Sequence, residues 1–385
     1  MKKLSYLLLS WACLLPGLCH SQKIAVFPLQ QDGYACFRIP ALIEKDGMLI
    51  AFAEGRKNNC ADFGNNDIVM KCSRDQGRNW SALRVIVDFD SLQASNAAPV
   101  VDYTDPAFPR GRIFLFYNTG NAPESDVRSG KGRREVWYIT SADNGLDWSR
   151  PVNITSQVHK PYRPEGKDTT NNWRGYANTP GHALQLSSGI HKGRLFVAAN
   201  HTEGAPKPAW ADCFAHGFYS DDHGKTFQLT PDVPVPGSNE AIAVELKDGG
   251  ILLNARNQKG TPRCRIAARS HSGGSGWDTV YYDTKLVEPV CQASMLNVSF
   301  SGKKVLLFAN PDSEIRRINL CIRMSFNDGI SWPACLLVVP GEAAYCDLAM
   351  VSRRVVGLLF EKGSDGGIYF RKVRLKDIAK TRKDS

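Results

Sequence analysis

This chain of 385 residues contains arginine, carboxylate and tyrosine side chains that could act together in catalysis. A planar guanidinium binds a carboxylate through two parallel hydrogen bonds, so converging arginines predict an anionic ligand. The segment KNNCADFGNNDIVM (57–70) offers Asp62 and Asp67 as possible proton donors. A tyrosine, whose ordinary pKa is about 10, needs an adjacent base to become a nucleophile at neutral pH. The cysteines and histidines lack the spacing typical of zinc ligands, so we expect no metal and no organic cofactor.

A repeated octapeptide indicates which elements must position these residues. Ser is followed by Asp or Asn two residues on, by Gly two later, and by an aromatic residue three after that. The four near-matches are SRDQGRNW (73–80), SADNGLDW (141–148), SDDHGKTF (220–227) and SFNDGISW (325–332). In a decayed fifth copy, SHSGGSGW (270–277), Ser272 replaces the acid. The carboxylate can accept turn N–H groups, Gly supplies a positive φ and the aromatic fills the space beneath, which predicts a hairpin connection.

Short β-rich runs separate the copies and define the fold class. They include RIFLFYN, EVWYIT and KVLLFAN, bounded by Gly, Pro, Asn and Asp, and no long segment has helical periodicity. Repeated antiparallel units predict an all-β fold, a β-propeller that closes radially. After removal of an N-terminal segment, six four-stranded antiparallel blades would have about 61 residues each, and seven blades would also fit by length.

The N-terminus has the pattern of an export signal. Two lysines precede the apolar run LSYLLLSWACLLPGL, and small residues follow, which predicts a signal peptide at 1–21 cleaved near Ser21. A lipid anchor at Cys19 is disfavoured because Leu18 stands where a small residue is needed. No later apolar run approaches 18 residues, so we expect no integral membrane segment and a secreted or periplasmic protein.

The distribution of charge along the sequence indicates which kinds of partner the protein could bind. The formal net charge is +10, but Lys and Arg are scattered and are densest in the C-terminal stretch 371–385. This pattern favours a solvated terminus over a nucleic-acid surface, while the overall charge would still attract anionic substrates. Nine cysteines follow residue 21, an odd number, and their pairing cannot be deduced from the sequence.

The octapeptides resemble the Asp boxes of exo-sialidases (neuraminidases), and the resemblance extends over essentially the whole chain after the signal. It includes FRIP (37–40), AFAEGR (51–56), EPVCQAS (288–294) and AYCDL (344–348). The resemblance is to the bacterial and animal type, glycoside hydrolase family 33. It implies a six-bladed propeller at 22–385 with the active site near the central axis and the Asp boxes at the blade periphery.

The family implies three arginines that clamp the carboxylate of sialic acid. They match Arg38 in FRIP, Arg256 at the end of ILLNAR, and either Arg316 or Arg317 before the last Asp box. We choose Arg317 because the following INLCIRMS aligns better with the family's strand. Arg56 is expected on the rim, near the glycerol side or the 4-hydroxyl of the sugar. Glu361 is expected to orient the first arginine.

The family also implies the reacting groups. A carboxylate nucleophile would be repelled by the substrate's own carboxylate, whereas a neutral phenol would not, and sialidases use a tyrosine. The resemblance places this nucleophile at Tyr345, its base at Glu240 and the acid/base at Asp62. One departure is Asn96, in SNAAPVVD (95–102), where many members have an acidic residue facing the 4-position of the sugar.

The sequence therefore predicts a monomeric, retaining exo-α-sialidase that acts through a tyrosyl-enzyme intermediate. Its partners would be sialylated glycoproteins, glycolipids and oligosaccharides. One alternative is an intramolecular trans-sialidase or sialyl-transferring relative with the same residues. Another is a non-catalytic Asp-box propeller that binds carbohydrate, which would have no need to retain this set of side chains together.

Overall fold

The computed structural model describes residues 23–161, 172–363 and 367–383. The predicted signal peptide at 1–21 lies outside the described residues. Strands dominate the described part, and the helices are short: α1 (Glu124–Arg128), α2 (Thr155–Val158), α3 (Leu375–Ala379) and a 3₁₀ turn at Pro208–Trp210. The prediction of an all-β chain is confirmed.

The described part of the chain contains 25 strands. The first thirteen are β1 (Ile24–Phe27), β2 (Cys36–Lys45), β3 (Met48–Arg56), β4 (Asn66–Ser73), β5 (Arg84–Val87), β6 (Gln93–Asp102), β7 (Arg112–Gly120), β8 (Arg134–Ser141), β9 (Val152–Asn153), β10 (Trp173–Asn178), β11 (Leu184–Gln185), β12 (Leu195–Glu203) and β13 (Cys213–Ser220). The others are β14 (Gln228–Leu229), β15 (Ser238–Glu245), β16 (Ile251–Asn257), β17 (Cys264–Ser270), β18 (Thr279–Val287), β19 (Ser294–Phe300), β20 (Lys303–Pro311), β21 (Ile318–Ser325), β22 (Ala334–Glu342), β23 (Cys346–Ser352), β24 (Val355–Glu361) and β25 (Ile368–Arg374).

These strands form a β-propeller of antiparallel blades in which four strands are the basic unit. Three sheets have four strands each: β15 to β18, β19 to β22, and β23 to β25 completed by β1. In the last of these, Ile24 pairs with Phe370, so the first described strand closes the sheet made by the last ones. A fifth strand, β11, joins the sheet of β10, β12, β13 and β14 by pairing with β12.

The sequence predicts six separate blades, whereas the described residues form five hydrogen-bonded sheets. The difference arises in one sheet of eight strands, which contains β2 to β5 followed by β6 to β9. Its two halves are joined by a single parallel pair, Asn66 with Gln93. The octapeptide spacing could not predict this junction, because Asn66 precedes the first copy, Gln93 follows it, and neither belongs to a copy.

The hydrophobic core lies between neighbouring sheets. One buried cluster joins Leu307 and Ile322, on β20 and β21, to Leu348 and Leu358, on β23 and β24. Burying each such aliphatic side chain stabilises the fold by about 1.5–3 kcal/mol. Packing of this kind fixes each sheet against the next and thereby holds the inner strands, which carry the candidate site, in a rigid ring.

The octapeptides connect the third and fourth strands of their four-strand units, as predicted for hairpin connections. In the first copy Asp75 Oδ1 accepts hydrogen bonds from the backbone N–H groups of Arg78 and Asn79, and Ser73 Oγ accepts one from Gly77. Gly77 has a φ of 78°, a left-handed conformation that favours glycine. The prediction that the carboxylate accepts turn N–H groups is confirmed.

Within residues 23–161, 172–363 and 367–383, none of the helices has the length and apolar character needed to cross a bilayer.

Candidate active site

The inner ends of several sheets converge on a cavity of about 570 Å³, a volume typical of small-molecule sites. Five of the eight side chains predicted from the sequence line it: Arg56, Asp62, Glu240, Arg256 and Tyr345. They come from different elements because successive sheets present their inner strands to a common centre. The remaining three, Arg38, Arg317 and Glu361, pack around Tyr345 and are described below.

Tyr345 lies in the short connection before β23, with only 6% of its surface exposed. Its hydroxyl donates to Glu240 Oε1 at 2.5 Å and accepts from Arg256 Nη1 at 2.9 Å. Arg256 Nη1 also donates to the other oxygen of Glu240 at 2.7 Å. The phenol, carboxylate and guanidinium therefore form a closed triangle, in which Glu240 is placed to receive the phenolic proton.

Burial raises the pKa of the Tyr345 phenol well above its ordinary value, and the negative charge of Glu240 raises it further. Arg256 and Arg317 act in the opposite direction, because their positive charges favour the phenolate. The phenol is consequently neutral at rest, and it needs a base in direct contact to lose its proton during a reaction. Glu240 is that contact.

Arg38, on β2, is held by Glu361 at the end of β24. Arg38 Nε and Nη2 donate to the two oxygens of Glu361 at 3.2 and 3.1 Å, which is a bidentate pair. Glu361 is fully buried and also accepts hydrogen bonds from the backbone N–H groups of Ile39 and Tyr345. One carboxylate thus fixes the first arginine and the backbone of the tyrosine together.

Arg317, and not its neighbour, faces the tyrosine. Its guanidinium carbon lies 5.4 Å from the centre of the Tyr345 ring, and that of Arg38 lies 5.2 Å from it. Arg317 Nη2 donates to the backbone oxygen of Val290. Arg316 is exposed. The geometry therefore favours the choice of Arg317 over Arg316.

Three guanidinium groups consequently surround Tyr345, namely those of Arg38, Arg256 and Arg317. Arg256 Nε is buried and, within the described residues, has no hydrogen-bond partner. An unpaired buried donor costs about 1–3 kcal/mol, so a ligand atom that accepted its proton would remove that cost. The arrangement suits an anion that bears oxygen atoms in a plane.

Asp62 follows β3 in a loop, and its side chain is 81% exposed to the cavity and solvent. Its Oδ1 accepts from Arg56 Nη1 at 2.9 Å and from Arg38 Nη1 at 3.4 Å. Desolvation by the surrounding cavity walls would raise the pKa of Asp62, but the charges of Arg56 and Arg38 lower it below the ordinary value. Its backbone oxygen is fixed by the side-chain amides of Asn66 and Gln93.

Asp67, the other carboxylate of the same segment, has a structural position. It is buried, accepts a hydrogen bond from the Tyr34 hydroxyl at 2.5 Å and pairs with Lys57 at 3.0 Å. The preference for Asp62 over Asp67 as the residue that faces the site therefore agrees with the geometry.

Arg56 departs from its expected position. The prediction of a rim residue is wrong, because Arg56 is only 1% exposed. Glu54 Oε2 accepts from its Nε and Nη2, and the backbone oxygen of Cys60 accepts from its Nη1. The guanidinium therefore forms part of the cavity wall, with its donors directed at Glu54 and Asp62. The carboxylates of Glu54 and Asp62 hold it there, and the contact with Glu54 was not predicted from the sequence.

Glu54 is a residue of the cavity that the sequence interpretation missed. Its Oε1 accepts the backbone N–H of Asn96, which has a φ of 53°, and both residues line the cavity. Burial raises the pKa of Glu54, and the charge of Arg56 opposes this. The stretch around Asn96 lacks an acid, but β3 supplies a carboxylate to the same region. The signal was the Glu of AFAEGR, two residues before Arg56.

A disulfide that the sequence could not assign joins Cys36 to Cys60. Cys36 lies two residues before Arg38, and Cys60 lies two residues before Asp62. The bond therefore ties the loop that carries Asp62 to the strand that carries Arg38.

The carboxylate of Asp347, on β23, connects this strand to β2, to β19 and to the segment that contains His182. Its oxygens accept from the backbone N–H groups of Leu42 and His182 and from the hydroxyl of Ser294. His182 Nδ1 lies 2.8 Å from Asp347 Oδ1, and the carboxylate raises the pKa of this imidazole although burial lowers it. Since Asp347 is on β23, two residues after Tyr345, this network positions the start of the strand that follows the tyrosine.

The sequence and fold of the chain match known proteins. A family model described as the BNR repeat-like domain matches residues 47–358. The chain is 31% identical to a sialidase of Micromonospora viridifaciens, over 87% of this chain and 51% of that protein. It is 27% identical to a sialidase of Bacteroides fragilis, over 94% of this chain and 66% of that protein. The chain thus spans between half and two thirds of the length of these relatives.

A solved structure of a Hadza microbial sialidase superposes with a TM-score of 0.79 at 27% identity, covering 92% of this chain and 69% of that one.

Proposed function

Since the chain belongs to the BNR repeat-like domain family, and within it to the bacterial-type exo-sialidases of glycoside hydrolase family 33, we propose that it is a retaining exo-α-sialidase. It would remove terminal sialic acid from glycoproteins, glycolipids and oligosaccharides. The observation that carries the proposal is the Tyr345 hydroxyl, held between Glu240 and Arg256 on the wall of the cavity.

Substrate binding rests on charge. The carboxylate on the anomeric carbon of a sialoside would be held by Arg38, Arg256 and Arg317, which all surround the Tyr345 ring or its hydroxyl. The buried, unpaired Nε of Arg256 supplies one donor. This clamp would set the anomeric carbon against the phenolic oxygen and give the chain its preference for an anionic sugar.

Two chemical steps follow. In the first, Glu240 takes the phenolic proton, the oxygen of Tyr345 forms a bond to the anomeric carbon, and the bond from that carbon to the glycan breaks. Asp62 gives its proton to the departing alkoxide. In the second step Asp62 takes a proton from water, which attacks the anomeric carbon, and Tyr345 leaves and recovers the proton from Glu240. Two inversions give overall retention.

Asp62 must be protonated for the first step, although its arginine neighbours lower its pKa in the free protein. The substrate resolves this conflict. A carboxylate bound to Arg38 offsets positive charge beside Asp62, so the pKa of Asp62 rises when the sugar binds. The acid would therefore be generated in the complex.

The test is incubation with α2,3- and α2,6-sialyllactose, followed by NMR of the released sugar. We expect free sialic acid that appears first as the α-anomer. First release of the β-anomer would overturn retention, and an anhydro sugar in place of sialic acid would identify the intramolecular trans-sialidase alternative. Treatment with a 2,3-difluorosialic acid should leave a covalent adduct on Tyr345 by mass spectrometry. An adduct on Glu240 would reverse the roles of base and nucleophile.

We also propose six blades for the propeller, which divides the eight-stranded sheet at the Asn66–Gln93 junction. The support is that each half contains four consecutive strands, β2 to β5 and β6 to β9. Export and monomeric state remain predictions, with residues 22–385 as the catalytic domain. The Cys36–Cys60 disulfide fits export, because such bonds persist in oxidising compartments.

A further inference from the structure

Two cysteines meet on the sheet formed by β19 to β22, outside the candidate active site. Cys321 lies on β21 and Cys335 on the neighbouring antiparallel strand β22, where Cys321 pairs with Leu337 and Arg323 with Cys335. The two sulfur atoms and a carboxylate oxygen of Asp312 lie within 4.8 Å of one another. The two thiols are therefore near neighbours across the strand pair, offset from each other by two residues.

The pair opens into a cavity of about 490 Å³, whose lining includes Asp312, Trp332, Thr381 and Lys383 as well as both cysteines. Cys335 is half-buried, whereas Cys321 is 4% exposed. An incoming molecule would consequently meet Cys335 first, with Cys321 behind it. This difference in exposure suits Cys335 as the thiol that attacks and Cys321 as the thiol that resolves the mixed disulfide.

Charged neighbours favour the thiolate of Cys335. The hydrogen bond from Cys321 lowers the pKa of the Cys335 thiol, and Arg323 and Lys383 lower it further, while burial and Asp312 raise it. The pKa of Cys321 is raised, first by its hydrogen bond with Cys335 and then by burial. Arg323 Nη2 donates to Asp312 Oδ1 at 2.6 Å, so this carboxylate is already partly neutralised. Two cationic groups beside the sulfurs disfavour a divalent cation and favour an anionic sulfur.

We propose that Cys335 and Cys321 form a thiol–disulfide exchange site that takes a low-molecular-weight disulfide of the glutathione class. The Cys335 thiolate attacks one sulfur of the small disulfide, and the first glutathione leaves as a thiolate. The Cys321 thiol then loses its proton and attacks Cys335 sulfur, which forms the Cys321–Cys335 bond. The second glutathione leaves as a thiolate and takes up the proton. The two cysteines are oxidised by two electrons, and the small disulfide is reduced.

The bond would cross-link β21 to β22 at a point where the sheet meets the C-terminus. The backbone N–H of Cys335 donates to Thr381 Oγ1, just after helix α3. Oxidation should therefore stabilise this end of the chain.

The experiment equilibrates the reduced full-length protein in buffers with different ratios of reduced to oxidised glutathione, then traps free thiols by alkylation. Peptide mass spectrometry should find Cys321 linked to Cys335, with an extent that follows the ratio and reverses in excess reduced glutathione. Cys321→Ser should accumulate glutathione on Cys335, and Cys335→Ser should accumulate none at Cys321. In the reduced protein at pH 7, alkylation of Cys335 should be at least about tenfold faster than that of Cys72.

Cys72 is the matched control, because it is also half-buried but burial raises the pKa of its thiol. Cys72→Ser should leave the linkage and its glutathione dependence unchanged. The proposal is overturned if both cysteines stay alkylatable in oxidised glutathione, or if Cys321→Ser collects no glutathione at Cys335 while it retains wild-type sialidase activity and thermal stability. Stoichiometric Zn²⁺ that protects both thiols from alkylation would also overturn it, in favour of a metal site.

Discussion

The Asp-box turn at 73–80 and the cluster around Tyr345 are both networks of hydrogen-bonded polar side chains. They differ in how far apart the bonded residues are in the sequence. In the turn, Asp75 bonds to partners two to four residues away. In the cluster, Tyr345 bonds to Glu240 across 105 residues, and Arg38 bonds to Glu361 across 323. The turn forms from its own octapeptide, whereas the cluster exists only when the ring of sheets has closed.

Because of this difference, we expect the turns to contribute mainly to stability and the cluster to contribute mainly to activity. A turn that satisfies its own backbone groups contributes locally, and its loss should be absorbed by the rest of the propeller. The cluster around Tyr345 carries three arginines and two carboxylates, those of Glu240 and Glu361, in a space that the fold must keep fixed. Substitutions in the cluster should therefore change catalysis far more than stability, and substitutions in the turns should do the reverse.

The largest effect is expected for Tyr345→Phe. This change removes the phenolic oxygen and leaves Glu240 and Arg256 paired with each other, so kcat should fall by roughly 10⁴-fold. The loss should be similar for sialyllactose and for an aryl sialoside, because both need the nucleophile. Steady-state kinetics on both substrates is the measurement, with circular dichroism as the check on folding. Activity within tenfold of wild type would exclude Tyr345 as the nucleophile.

Asp62→Asn should separate the two substrates. A sugar alkoxide needs a proton to leave, whereas an aryl group such as 4-methylumbelliferone leaves with little help. We expect a loss of about 10³-fold in the first step with sialyllactose and a much smaller loss with the aryl sialoside. Equal losses on the two substrates would remove Asp62 as the acid.

The pH profile sharpens the same assignment. Arg56 and Arg38 lower the pKa of Asp62 in the free protein against the effect of burial, and a bound substrate carboxylate should raise it again. Protonated Asp62 is the active form, so activity on sialyllactose is lost as pH rises through its pKa. The alkaline limb of kcat should therefore lie at higher pH than that of kcat/KM. Coincident limbs would contradict substrate-induced protonation.

Arg317→Ala should weaken binding of the planar glycal analogue of sialic acid by about 10²-fold, since it removes one of the three cations around Tyr345. The chain offers a matched control in the adjacent Arg316, which is exposed. Arg316→Ala should bind the analogue like the wild type in calorimetry. If the two variants exchanged these outcomes, the choice between the neighbours would be wrong.

The sequence predicted more of the turns than of the cluster, and the reach of the contacts explains why. The octapeptides, the all-β class and the hairpin geometry follow from neighbours in the chain. The site residues were found through motif resemblance, because spacing alone does not show that Tyr345 meets Glu240. Where a partner was unknown the prediction failed: Arg56 was expected on the rim, but Glu54 and Asp62 hold it in the cavity wall.

The Cys36–Cys60 bond is a further contact that the sequence spacing could not reveal. The double variant Cys36→Ser with Cys60→Ser frees the loop of Asp62 from the strand of Arg38, and we expect a loss of stability of about 2–4 kcal/mol. Because Asp62 keeps its arginine contacts, kcat on sialyllactose should fall only about tenfold, and activity on the aryl sialoside should change less. Urea unfolding and kinetics on both substrates test this. An equal kinetic loss on both substrates would show that the bond supports the whole site and not the acid loop.

The smallest effect is expected in the turns. Asp75→Ala removes the acceptor for the N–H groups of Arg78 and Asn79 and should lower the urea midpoint of unfolding, with kcat unchanged. The chain itself supplies the control, because Asn327 occupies the equivalent position of the last octapeptide and accepts the N–H of Ser331 through its Oδ1 at 3.0 Å. Asp75→Asn should therefore retain most of the stability that Asp75→Ala loses, since the turn needs an oxygen acceptor and not a charge. Equal losses for the two variants in urea unfolding would show that the charge itself stabilises the turn. A fall in kcat for either variant would show that the turn and the Tyr345 site are coupled and not separate.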